Sequence, residues 1–198
     1  MSVLLVAGSP SAHSRSAALL DAVQQRLEQQ AGWRQPCIDR VQVRDLSPQA
    51  LLLADWSHAS VKRAIAQVEA ASVLAIATPV YKAAYSGVLK VFLDLLPQTA
   101  LKGKVVLPLA TGGSPHHMLA LDYALRPVLQ SLGARHILPG VYASDSQIPK
   151  REDGSYQIGD EIGTRLDDAV SALVNEGLRL PIRPGFEPVP FEAVQYSV

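Results

Sequence analysis

The segment Gly8-Ser9-Pro10-Ser11-Ala12-His13-Ser14-Arg15-Ser16 packs four hydroxyls and one guanidinium into nine residues, directly behind the apolar run Val3 to Ala7. A loop of this kind that opens a helix is suited to a phosphate. The first turn of a helix has unpaired N–H groups and the positive end of the helix dipole. A phosphate monoester presents three oxygens and needs several donors. The plainer reading leaves Ser14 as a helix cap and the other serines solvated. Two other phosphate motifs do not fit. A Walker A loop needs a second glycine followed by Lys and Ser or Thr. The dinucleotide fingerprint needs three spaced glycines, and only Gly8 is available, although Asp45 stands where a ribose-binding acid would.

Two further loops have unusual composition. Thr78-Pro79-Val80-Tyr81-Lys82-Ala83-Ala84-Tyr85-Ser86-Gly87 follows an apolar run. Pro79 constrains its turn, and Val80, Tyr81 and Tyr85 offer a wall for a flat ring system. Thr111-Gly112-Gly113-Ser114 has glycines that let backbone approach a ligand closely. Taken singly, each is more often just a turn.

The elements that would position these loops alternate in type. Strands are expected at Val3–Ala7, around Val41 and Val43, at Val73–Ala77, at Val105–Ala110 and at His136–Val141. Helical spacing of apolar residues marks Ser14–Gln30, His58–Ala71, Ser86–Leu96, Pro115–Leu132 and Gly159–Leu178. Alternation of this kind implies an α/β fold with helices on both faces of a parallel sheet. Five strands suit the flavodoxin-like order 2-1-3-4-5, in which ligands sit at the carboxyl ends of the strands beside the switch point. That rule brings the three loops together at one sheet edge. The expected domain covers residues 1–178, followed by a Pro-rich C-terminal tail at 179–198.

With 18 basic and 18 acidic side chains the net charge is zero, which argues against nucleic acid or an anionic membrane surface as main partner. Cys37 is the only cysteine, so no intramolecular disulfide forms and any redox chemistry has to come from a cofactor. The apolar start is too short for a signal peptide or a membrane span, and a cytoplasmic location is expected. His116-His117 is not read as a metal pair, because adjacent helical residues point in different directions.

At these residues the chain resembles the NAD(P)H-dependent FMN reductases, and within them those of bacterial alkanesulfonate assimilation. The runs ATPVYKAAYSGVLKVFLDLLP, LKGKVVLPLATGG and ALDYALRPVLQSLGA carry the resemblance, which extends from the first strand to about Gln147. It implies that hydride passes from the nicotinamide of NADPH (or NADH) to FMN. Reduced FMN would then serve a separate flavin-dependent alkanesulfonate monooxygenase in a two-component system. It also implies that Ser9, Ser14 and Ser16 hold the FMN phosphate, that Pro79, Val80 and Tyr81 line the flavin ring, and that Thr111, Gly112 and Gly113 close the other side. One departure stands out: relatives often carry Arg where this chain has Ser11, which leaves Arg15 as the available guanidinium.

In Asp122-Tyr123-Ala124-Leu125-Arg126-Pro127, Pro127 falls inside a helical pattern and has no N–H for the carbonyl of Tyr123. A kink or a π-bulge is expected there. The relatives resembled place a tyrosine of such a π-helix at a subunit interface near the flavin; the alternative is a kink with Tyr123 packed in the core. Wide apolar faces after Gly87 and Pro115 suggest a homo-oligomer, dimer or tetramer. Because the cofactors carry the chemistry, no acid–base catalytic residue is expected. Two other readings of the residues stand beside the reductase: a quinone or azo reductase with tightly held FMN, and a non-enzymatic flavodoxin-like electron carrier. Neutral charge and the loop GSPSAHSRS disfavour the carrier.

Overall fold

The computed structural model describes residues 2–30 and 37–178, so the expected tail at 179–198 lies outside the described residues. The strands are β1 (Ser2–Ala7), β2 (Cys37–Gln42), β3 (Val73–Tyr81), β4 (Ala84–Tyr85), β5 (Val105–Gly112), β6 (His136–Ile137) and β7 (Val141–Ser144). The α-helices are α1 (Arg15–Gln30), α2 (Pro48–Leu52), α3 (Ala59–Ala70), α4 (Gly87–Leu93), α5 (Arg126–Ser131) and α6 (Asp160–Leu173). The sheet runs β2-β1-β3-β5, and β6 and β7 share the fifth position, both parallel to β5. This is the flavodoxin-like order 2-1-3-4-5 with its last strand cut in two. Pro139, which has no N–H for a ladder, stands in the cut. β5 and all of β3 up to Val80 are buried, as strands covered on both faces must be. On one face Leu19, Val23 and Leu27 of α1 meet Ile162, Leu166 and Val170 of α6. On the other, α3, α4 and α5 contribute Val61, Val68, Leu89, Phe92 and Leu129.

Several elements differ from expectation for identifiable reasons. β2 ends at Gln42, and Val43 opens a 3-10 turn while remaining buried. α2 was not foreseen, although its signal is present: Ser47 accepts the N–H of Ala50 at 3.3 Å and Pro48 follows it. β3 runs past Thr78-Pro79 instead of breaking there. Ala77 accepts the N–H of Gly8 at 2.8 Å, so Ala77 faces β1. Pro79, two residues on, faces the same side beyond the end of β1, where its missing N–H costs no ladder bond. The strand then reverses through Lys82 and Ala83 (φ 51° and 63°) and pairs back as β4, a two-residue hairpin loop with both residues left-handed.

The single helix expected over 115–132 is three pieces: a 3-10 turn at Pro115–Leu119, a π turn at Leu121–Leu125, and α5. A second π turn, Val174–Leu178, ends the described chain after α6. No helix among the described residues is long and apolar enough to cross a membrane.

One buried polar node joins the first loop to the second. The Ser86 hydroxyl donates to the Gly8 carbonyl and accepts the N–H of Leu89 at 3.1 Å, while the Ser86 N–H donates to Thr78 Oγ1 at 3.0 Å. Gly8 is required because a Cβ there would stand 2.9 Å from Leu89 Cβ and 3.1 Å from the Ala77 carbonyl. Gly8→Ala should therefore cost roughly 1–3 kcal/mol by overpacking, read as a lowered urea midpoint. An unchanged midpoint would contradict the packing described.

Candidate functional site

A cavity of about 230 Å³ opens at the carboxyl ends of the central strands, and all three loops reach it. Ser11, His13, Ser14 and Arg15 line it from the first loop, Pro79, Val80 and Tyr81 from the second, and Thr111, Gly112 and Gly113 from the third. Of the residues singled out in the sequence, eight therefore share one wall.

Ser9 and Ser16 do not. Both are buried behind the wall, where the Ser9 hydroxyl accepts the N–H of Ser11 at 3.1 Å and the Ser16 hydroxyl pairs with that of Ser14 at 3.2 Å. Ser9 thus shapes the loop, and Ser16 orients Ser14. Ser14 also caps α1 by accepting the N–H of Ala17 at 3.1 Å, so capping and a place on the wall belong to the same hydroxyl.

Arg15 is held from three sides. Its Nε donates to the Ile148 carbonyl at 2.9 Å, Nη1 lies 3.4 Å from the Asp145 carboxylate, and the guanidinium sits over the Tyr156 ring, 5.2 Å from its centroid. Asp145 and Tyr156 both line the cavity. Neither was singled out in the sequence. Asp145 directly follows β7, so the rule that ligands collect at strand carboxyl ends could have found it. Tyr156 has no comparable signal: it arrives through the antiparallel bridge Lys150–Tyr156.

The third loop is backed by Tyr142 of β7, whose hydroxyl donates to the Ser114 carbonyl. Burial, with the charge of Asp145 adding to it, holds this phenol above its ordinary pKa, so it remains a donor. A Cβ at Gly112 would stand 2.7 Å from the Tyr142 hydroxyl and 3.3 Å from His117 Nδ1. That nitrogen is buried without a hydrogen-bond partner. Tyr123 is not on the wall. It is 79% exposed, which rules out core packing, and its π turn packs against β4. Lys82 is exposed at the hairpin tip. Among the described residues no group of three or more His, Cys, Asp or Glu could hold a metal ion.

The wall is mixed in character. The first loop brings hydroxyls, a helix start and a fixed guanidinium, the second brings proline, valine and tyrosine, and the third brings glycine backbone. Such a combination fits a molecule that carries both a phosphate and a flat, hydrogen-bonding ring, and FMN has that form. Fold and cleft together define a flavodoxin-like nucleotide-binding protein with its site at the sheet's switch point.

The family model described as NADPH-dependent FMN reductase matches residues 1–148. A protein named FMN reductase (NADPH) from Escherichia coli K12 is 45% identical over 177 residues, covering 87% of this chain and 88% of the relative. One named NADH-dependent FMN reductase from Pseudomonas putida is 31% identical over 170 residues, covering 86% and 91%. The solved apo structure of an NADH:FMN oxidoreductase superposes with a TM-score of 0.79 at 40% identity, covering 91% of each chain. The chain belongs to the NADPH-dependent FMN reductase family and is an NAD(P)H:FMN oxidoreductase.

Ser14→Ala should raise the FMN dissociation constant about 10- to 100-fold, the equivalent of roughly 1.5–3 kcal/mol for one hydrogen bond to a charged acceptor. Ser9→Ala should have a much smaller effect. Titration by quenching of flavin fluorescence measures both, and equal effects would contradict the placement of the two serines.

Proposed function

We propose that this enzyme takes up FMN as a releasable substrate, reduces it with NADPH, and supplies reduced FMN to a flavin-dependent alkanesulfonate monooxygenase. One observation carries the reading: the cleft's aromatic wall is open. Tyr81 is 49% exposed on the wall, and beyond it Tyr123 stands out from the surface. A flavin kept as a permanent prosthetic group needs a more enclosing site. The 45% identical relative named FMN reductase (NADPH) supports NADPH as donor, and the sequence runs that resemble the reductases of alkanesulfonate assimilation support the partner.

In this reading Ser11 and Ser14 donate to the FMN phosphate from the start of α1. Arg15 faces it with a charge whose position Asp145, Ile148 and Tyr156 fix. Pro79, Val80 and Tyr81 support the ring, and Thr111, Gly112 and Gly113 offer backbone groups to its polar edge. Bound FMN supplies the hydride-accepting ring, and the protein's task is to hold it in register with the nicotinamide. Substitutions on the wall therefore alter affinity for flavin or pyridine nucleotide rather than abolish the step. The exposed apolar side chains Tyr81, Met118, Leu119 and Tyr123 lie on elements that pack together, and we read this face as the contact of a homo-oligomer. A monomeric mass by light scattering, with full activity, would count against that contact.

NADPH and NADH oxidation with free FMN, FAD and a quinone as competing acceptors tests the substrate role. FMN should be the best acceptor, and purified protein should lose its yellow colour on dialysis; colour that survives dialysis, with quinone preferred, would favour a quinone reductase. Tyr123→Ala should keep the fold of each subunit, since the ring is exposed on its own chain and its removal leaves no core cavity. It should hold FMN more tightly and turn over free FMN more slowly. A large drop in melting temperature with normal flavin release would defeat the role given to Tyr123.

A further inference from the structure

The cut in the last strand and the π turn face each other. Arg126, the first residue of α5, reaches back to the Asp122 carboxylate inside the π turn at 3.0 Å through Nε. It also donates through Nη1 to the Ile137 carbonyl at 3.2 Å and through Nη2 to the Leu138 carbonyl at 3.3 Å. Each nitrogen of the guanidinium has a partner, and two of those partners belong to the end of β6 and the start of the cut. The second contact is steric. A Cβ at Gly140 would stand 2.8 Å from Leu121 Cδ1 and 3.1 Å from the Pro108 carbonyl, so the cut passes directly beneath the first residue of the π turn.

Pro127 by itself does not require a π turn. It removes one N–H, which a simple kink would accommodate as well. What distinguishes the two outcomes is where the residues before the proline point. The extra residue of a π turn shifts them by about 100° relative to a continuous α-helix. Closing the turn to α-helix would carry Leu121 off Gly140 and Tyr123 off its place beside β4. We propose that Arg126 is a positioning residue: by tying the π turn to the cut in the last strand, it sets where Tyr123 stands beside the cleft. This rests on the reading that Tyr123 governs flavin exchange.

Full-length protein carrying 3-fluorotyrosine at position 123 alone reports the position of that ring by 19F NMR, without flavin. The unsubstituted background should give one narrow resonance. Arg126→Gln, which keeps the aliphatic stem and loses the charged fork, should shift and broaden it, and Arg126→Lys should fall between. Flavin release from Arg126→Gln should slow several-fold, as in Tyr123→Ala, and the double variant should be no slower than Tyr123→Ala alone. A resonance unmoved in Arg126→Gln overturns the proposal, including where only the melting temperature falls. If Arg126→Gln does not fold, Gly140→Ala presses on Leu121 from the other side and must move the same resonance; an unmoved one again overturns it. A moved resonance with ordinary flavin release in Tyr123→Ala would leave Arg126 as the positioning residue and remove flavin exchange as Tyr123's role.

Discussion

The Gly8 carbonyl is buried at the point where the chain leaves the sheet, and the Ser86 hydroxyl satisfies it. Left unpaired, such a group costs about 1–3 kcal/mol. The same hydroxyl caps α4, and the Ser86 N–H is taken by Thr78, so one residue joins the end of β1 and Thr78 of β3 to the start of a helix. The rest of the cleft depends on this. It sets the first loop against the second, so that Ser14 and Tyr81 can belong to one wall although 67 residues separate them in the chain. It also explains why the first loop has a single glycine. Gly8 is there to let Leu89 of α4 approach, and the cleft-facing part of the loop presents hydroxyls and a helix start.

Charge in the cleft is arranged locally. The chain is neutral overall, so attraction of an anionic ligand cannot come from a long-range field. Arg15 supplies the cation, and its Asp145 partner lowers the net positive charge at that part of the wall. The Asp145 contact, the Ile148 carbonyl and the Tyr156 ring hold the guanidinium without consuming its remaining donors. Charge fixed in advance by neighbours loses less entropy on binding than a free arginine would.

Much of this was legible in the sequence, for physical reasons that can be named. Uninterrupted apolar strands such as Val73–Ala77 and amphipathic helices such as α3 are local signals, and strand–helix alternation fixes the winding. The convergence of three loops then follows from topology. What was not legible depends on neighbours. Pro79 looks like a strand breaker until the end of β1 is known to lie beside it, and Pro139 looks harmless until β5 is seen to need a partner at that point. Four serines in one loop look alike in sequence. Only the packing of α1 against the sheet turns Ser9 and Ser16 inward and leaves Ser11 and Ser14 on the wall. The disturbance at Pro127 was readable from composition, but a π turn and a kink share the same local sequence, and contacts from β6 and the following cut lie beyond the reach of local reading.

In the proposed reading FMN occupies the single cleft that the three loops build. A diffraction structure of crystals grown with FMN tests it most directly. The phosphate should lie against Ser11, Ser14 and Arg15 at the start of α1, with the ring between Tyr81 and the Gly112-Gly113 backbone. A phosphate bound away from α1, or a ring seated outside the wall of Pro79–Tyr81, would contradict it.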